Sequence, residues 1–155
     1  MLTYSNKINN PFLFNLYALK NLPTLWFWGL KVAFFDTRKC CIKISYSWFT
    51  KNPFQSIYFS ALSGASELST GLLLHSIAAS TGRISMLVIK SEAEFLKKAK
   101  GNILFCCEQG DAVQKLFETL QKPGDSGELV LHSNGINERG EIIARFIFTW
   151  SLKRM

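Results

Sequence analysis

The sequence predicts an α+β fold in which one curved antiparallel sheet wraps around one long central helix, with short helices at the N-terminal side. Three observations carry this. Ile57 to about Ala79 contains no Pro, and Ile57, Ala61, Ala65, Leu68, Leu72 and Leu73 recur at helical spacing. The same stretch is apolar or small on nearly every side, with no Lys or Arg between Asn52 and Thr81, which is the pattern of a buried helix spanning roughly 33 Å. Strand-like segments flank it, two of which, Lys39 to Trp48 and Phe146 to Ser151, have side chains alternating between two faces, and a helix buried on all sides needs a sheet curled over it.

In chain order, Pro11 to Lys20 reads as a short helix and Leu22 to Gly29 as a second, with Pro23 in its first turn and Asn21 as the cap between them. Lys31 to Asp36 reads as a strand, Thr37 and Arg38 turn, and Lys39 to Trp48 returns. In that second strand Ile42, Ile44, Tyr46 and Trp48 share one face, and Cys41, Lys43, Ser45 and Ser47 the other. Beyond the long helix, Thr81 and Gly82 mark a stop, and Ser85 to Glu94 reads as a strand opening on the buried run Met86 to Ile89. Phe95 to Gly101 is a basic bend and Asn102 to Glu108 a further strand. Asp111 to Gln121 is an amphipathic helix with Val113, Leu116, Phe117 and Leu120 on one side. After the loop Lys122 to Gly127, Glu128 to Ser133 and Glu141 to Leu152 form the last pair of strands, joined by a loop holding Asn134, Gly135 and Gly140.

At 155 residues the chain is long enough for one domain over 1–155, with residues 1–30 as a helical cover. The net charge of +7 suits anionic partners, and a phosphate-bearing small molecule fits better than nucleic acid, because no basic run is interleaved with aromatics. The four cysteines stand as two adjacent pairs, Cys40 with Cys41 and Cys106 with Cys107. Adjacent strand residues point to opposite faces, so neither pair bridges itself or holds one metal, and they read as reduced thiols of a cytoplasmic protein. No cleavable signal is expected. Asn15, Lys20, Asn21, Pro23, Gly29 and Lys31 interrupt the greasy stretch from Phe12 to Phe35, so no spanning helix is expected and a membrane partner is not the favoured reading.

Glu67 is the only acid on the long helix. Its neighbours at three and four residues, Ser63, Gly64, Thr70 and Gly71, cannot neutralise it, and with Ser60 they leave a narrow stripe where a backbone or ligand can approach. A buried carboxylate without a partner is costly, which makes Glu67 a candidate working group. The competing reading is a Glu at a kink or subunit seam held by a backbone amide. His75 and His132 read as packing or surface residues.

The arrangement around NPFQSIYFSALSGASELSTG, Asn52 to Gly71, resembles the hot-dog-fold thioesterases, most closely the phenylacetate-pathway type and its uncharacterised relatives. In that type an Asn precedes a His-Gly-Gly opening of the central helix, and an acid follows nine residues after the His. Asn52 resembles the Asn, Tyr58, Phe59 and Ser60 stand in place of His-Gly-Gly, and Glu67 occupies the acid position. Phe95 to Ala99 is similar to the family's Phe-Leu-Arg-Pro-Ala segment, and the resemblance covers roughly Val32 to Lys153.

The resemblance implies the hot-dog fold, a homodimer or dimer of dimers, and hydrolysis of an acyl-CoA or acyl-carrier thioester, with coenzyme A as part of the substrate and neither cofactor nor metal. Tyr58 and Glu67 lie about 13.5 Å apart along one helix, so two copies with antiparallel central helices would share each site. In that expectation Glu67 and Asn52 are catalytic, Asn52 by orienting the loop or the water. Tyr58, Phe59 and Ser60 bind the thioester through free amides, and Lys97 and Lys98 meet the phosphates. The alternative from another class is a non-catalytic acyl-thioester or lipid-binding protein of the same fold. A dehydratase is disfavoured because no His stands at 58, and a membrane-associated lipid binder using Trp26, Phe27 and Trp28 ranks last.

Overall fold

A computed structural model describes residues 4–155. The chain runs through α1 (Tyr4–Asn9), α2 (Pro11–Asn21), α3 (Pro23–Phe27), β1 (Lys31–Phe35), β2 (Cys40–Ser45), α4 (Phe59–Thr81), β3 (Ile84–Phe95), β4 (Asn102–Cys107), α5 (Gly110–Thr119), β5 (Ser126–Asn137) and β6 (Ile142–Arg154). The strands form one antiparallel sheet in the order β1-β2-β4-β5-β6-β3. The sheet wraps α4, whose Leu68, Leu72, Leu73 and Leu74 share a core with Ile42 and Ile44 of β2, Ile103 and Phe105 of β4, and Phe146 and Phe148 of β6. The α+β architecture expected from the sequence is thus present.

A helix not expected from the sequence, α1, precedes the two expected ones, and α2 begins at Pro11 as expected. α1 carries one buried apolar residue, Ile8, and is held instead by Asn9, whose Nδ2 donates to the Phe35 carbonyl at 2.8 Å. Asn10 caps α2 by accepting from the amides of Phe12 and Leu13. Asn21 is no cap: it ends α2, and its side chain donates back to the Tyr17 carbonyl. α3 stops at Phe27 because Gly29 takes a positive φ of 67°. Its Leu25 and Trp28 then lie so close over Gly64 of α4 that a β-carbon there would stand 2.8 Å from the Trp28 ring. The small-residue stripe therefore admits the chain's own cover at that point.

β2 ends at Ser45, so Tyr46 and Trp48 do not continue its buried face. The cause is Thr50, only 1% exposed, whose hydroxyl accepts from the Ser47 amide and donates to the Ser45 carbonyl, both at 2.8 Å, folding the chain into a turn. Trp48 is left in solvent. The run Met86 to Ile89 is likewise not buried throughout. β3 is the sheet's outer strand, Met86 and Val88 face inward, and Leu87 and Ile89 are exposed. Asn134 and Gly135 belong to β5, not to the loop before β6. Gly135 is a packing position, since a β-carbon there would lie 2.5 Å from the Phe105 ring.

The cysteines need a larger correction. β2 and β4 pair so that Cys40 faces Cys107 and Cys41 faces Cys106. Cys41 and Cys106 form a disulfide on the outer face, while Cys40 and Cys107 are buried thiols on the inner one. Neighbours along the chain cannot bridge, but antiparallel register offers each a partner across the strands. Reduced cysteines therefore no longer argue for the cytoplasm.

Candidate functional site

The site grows from the loop between β2 and α4. Asn52 uses both ends of its amide inside that loop: Oδ1 accepts from the Phe54 amide at 2.9 Å and the Ser56 amide at 3.2 Å, and Nδ2 faces Ser56 Oγ at 3.0 Å. Gln55 completes the turn at a φ of 56°, a left-handed backbone for a residue with a side chain. The loop returns through two further bonds, from the Ile57 amide to the Ala99 carbonyl at 2.9 Å and from the Tyr58 amide to the Thr50 carbonyl at 2.7 Å. α4 then starts at Phe59 with no side-chain cap.

One consequence concerns the amides. That of Tyr58 is taken by Thr50 and is not free, contrary to the expectation. Those of Phe59 and Ser60 have no acceptor among the described residues. They are the first donors of a 23-residue helix and sit at its positive end, where developing negative charge is stabilised.

A cleft of about 650 Å³ opens beside them, lined by Asn52, Tyr58, Phe59, Lys97 and Lys98 together with Phe54, Leu62 and Phe95. Five of the seven residues expected at the site thus meet. Ser60 and Glu67 do not line this cleft. The apolar members come from segments far apart in sequence: Phe59 packs edge-on to Tyr58 at 4.9 Å and to Phe95 at 6.3 Å, and Phe95 in turn to Phe146 at 5.6 Å. Phe95 lies on the inner face of β3, opposite Ala144, yet is half exposed because nothing in the described chain covers that end of the strand.

Lys97 and Lys98 also border a second hollow of about 340 Å³, where Lys100 and Arg139 join them beside Glu138 and Glu141. Lys97 Nζ donates to Glu141 Oε1 at 2.6 Å, and this bond, with a second from Asn137, holds the Glu141 carboxyl below the usual carboxylate range. Arg139 was not anticipated. It lies more than forty residues beyond Lys97 in sequence and only the turn between β5 and β6 brings it there.

Glu67 stands on the half-open stripe of α4; its backbone carbonyl accepts from Thr70 Oγ1 at 2.8 Å, while its carboxylate has no hydrogen-bond or ion-pair partner among the described residues. Burial raises its pKa. Its Oε1 lies 3.4 Å from where a β-carbon of Gly71 would stand, and the edge of the Trp150 indole lies 3.5 Å from the same point. The indole Nε1 does not serve the carboxylate: it donates to Thr70 Oγ1 at 3.1 Å. Of the two histidines, His132 is exposed on the outer face of β5. His75 is half-buried, its Nδ1 2.8 Å from the Tyr4 hydroxyl, and burial lowers its pKa.

No protein-family model matches the chain, and no curated protein matches its sequence. Solved structures do. A Pseudomonas aeruginosa protein described as a probable thioesterase superposes with a TM-score of 0.79 at 19% identity, covering 96% of this chain and 99% of that one. A Chlorobaculum tepidum protein of unknown function gives 0.79 at 12% identity over 95% and 98%. A Haemophilus influenzae thioesterase gives 0.71 at 11% over 94% and 91%. At such identities the likeness speaks for the fold, and with the sheet wrapped around α4 it establishes that this chain has the hot-dog fold.

Proposed function

We propose that the protein hydrolyses an acyl thioester of coenzyme A or of an acyl carrier, in a site shared by two copies of the chain. The observation that carries this reading is Glu67: a partly buried carboxylate, with raised pKa and no side-chain partner among the described residues, on a stripe of small residues. Within one copy it is about 13.5 Å along the helix from Tyr58. A second copy with its α4 antiparallel brings Glu67 of the partner subunit toward the Phe59 and Ser60 amides. β3 favours such a pairing. It is an uncovered edge of twelve residues, and Ser91, Ala93 and Phe95 on its inner face are exposed in the single chain.

In this mechanism the thioester carbonyl lies against the two open amides, which stabilise the oxyanion. The partner's Glu67 takes a proton from water as the hydroxyl oxygen bonds to the carbonyl carbon, or attacks that carbon itself to give an acyl anhydride that water then hydrolyses, freeing the acid and the Glu67 carboxylate. The carbon–sulfur bond breaks, and the thiolate leaves and is protonated. Asn52 holds the loop that aims the amides. The acyl chain occupies the cleft between Phe54, Leu62 and Phe95, and the phosphates of coenzyme A meet Lys97 and Lys98, reinforced by Lys100 and Arg139. A coenzyme A substrate speaks for the cytoplasm, and the Cys41–Cys106 bridge speaks against it.

The second reading, an acyl-thioester-binding protein without turnover, is favoured by Phe59, whose ring stands at the mouth of the cleft where the resembling family has Gly. A panel of acyl-CoA substrates assayed with wild type and Glu67→Gln separates the two. We expect turnover to fall by about 10²- to 10⁴-fold in the variant, the usual weight of a general base. Undiminished hydrolysis would remove Glu67 from the chemistry, and tight binding by an inert wild type would establish the second reading.

A further inference from the structure

Four aromatic rings from two distant segments meet in solvent. Phe27 of α3 lies 6.3 Å from Phe49, Trp26 lies 5.3 Å from Phe27, and Trp48 lies 5.3 Å from Phe49, centroid to centroid. Trp48 is 73% exposed, Phe49 58%, Phe27 56% and Trp26 38%. A contiguous apolar surface of this kind on a chain with a well-filled core marks a surface that something else covers.

The surrounding charge indicates what covers it. Lys51 Nζ stands 5.7 Å over the Trp48 ring. The loop carrying Trp48 and Phe49 is tied to the basic bend by two backbone bonds, from the Tyr46 amide to the Gly101 carbonyl and from the Ile57 amide to the Ala99 carbonyl. Lys97, Lys98 and Lys100 therefore lie at the same end of the molecule. From Met1 to Ser66 the only acid in the sequence is Asp36. The carboxylates near the basic bend include Glu138, Glu141 and Glu94, the second already paired with Lys97 and the third with Arg145. Indole and phenyl rings flanked by lysines with few unpaired carboxylates suit an interface that is greasy in depth and negative at its surface.

We propose that this patch seats the protein on an anionic lipid surface, with Trp48 and Phe49 entering the headgroup layer and Lys51 meeting lipid phosphates. The sequence disfavoured a membrane partner chiefly because residues 12–35 cannot span one. Among the described residues no helix is long and apolar enough to cross. A surface seat needs no span, and one of the four rings of this one, Trp48, belongs to the stretch the sequence assigned to a strand. The same loop continues into the cleft through Asn52 and Tyr58, so the mouth of the cleft faces the lipid.

The test uses the full chain and co-sedimentation with vesicles of phosphatidylcholine alone or with phosphatidylglycerol added. We expect binding at least about tenfold tighter on the anionic vesicles, weakened by salt as surface electrostatics require. Trp48→Ser combined with Phe49→Ser is expected to lose about tenfold or more on them, since interfacial binding scales with buried apolar area. Lys51→Glu, a single exposed change, is expected to weaken binding to anionic vesicles only, and it keeps the test decisive should the double variant fail a circular-dichroism melt. Absent binding, equal binding to both vesicle types, or binding unchanged in the variants would overturn the proposal. So would variants that leave vesicle binding untouched but lower the sedimentation coefficient, which would make the patch a protein interface. Hydrolysis is read on soluble substrate without vesicles, so failure of one proposal leaves the other standing.

Discussion

Glu67 was legible as a single residue because its helix carries no other acid and offers it no neutralising neighbour at three or four residues. Its effect on stability follows from the same isolation. Burial raises its pKa, so the folded chain prefers the protonated carboxyl. The contribution is therefore fully present below the ordinary carboxylate pKa and is lost as pH rises through the raised one. Glu67→Gln removes that loss. The variant is expected to melt above wild type at about pH 8, with the gap closing at about pH 4, near the ordinary Glu pKa. Thermal melts at both values check this; a gap independent of pH would mean that the group does not ionise in the fold. Thr50 shows the opposite case. Its role in ending β2 depends on a turn whose partners, Ser45 and Ser47, look like ordinary strand residues in sequence.

At the scale of elements, alternation, apolar runs and turn signals located all six strands, but they did not tell which faces would be covered. Met86 to Ile89 reads as doubly buried, yet β3 has α4 on one side only. Gly135 reads as a turn residue and is instead the hollow into which the Phe105 ring fits. The cysteine pairs were placed correctly on opposite faces, and their partners were missed because register is set by the whole β2–β4 pairing. The inner pair should be inert. Burial lifts the Cys107 thiol to about 11 and the Cys40 thiol above its ordinary range. Titration with a thiol reagent is expected to find no reactive cysteine in the folded protein, two after unfolding without reductant, and four after reduction. Four reactive thiols without reductant would refute the bridge.

For the molecule as a whole, the incomplete burial of one strand and one helix stripe is the feature that points beyond the single chain. If a second copy covers β3, sedimentation should give twice the chain's 17.6 kDa or a multiple of that dimer. A monomer at working concentration would count against the shared site while leaving the fold unaffected. Size and charge bounded what such an assembly acts on: +7 spread across the surface suits an anionic ligand, and the basic hollow beside the cleft is where that charge concentrates.

By itself the sequence determined the long helix, the strands along the chain and the carboxylate without a neutralising neighbour on its own helix, because these depend on periodicity, turn chemistry and spacing within a few tens of residues; Asn52, Tyr58 and Phe59 were named only through the family resemblance. Tertiary structure alone decided which thiols face each other, that Arg139 joins Lys97, that Phe49 meets Phe27, and that one sheet edge stays open. Each of these follows from how separate segments register and pack, and contacts between distant positions leave no local pattern to read.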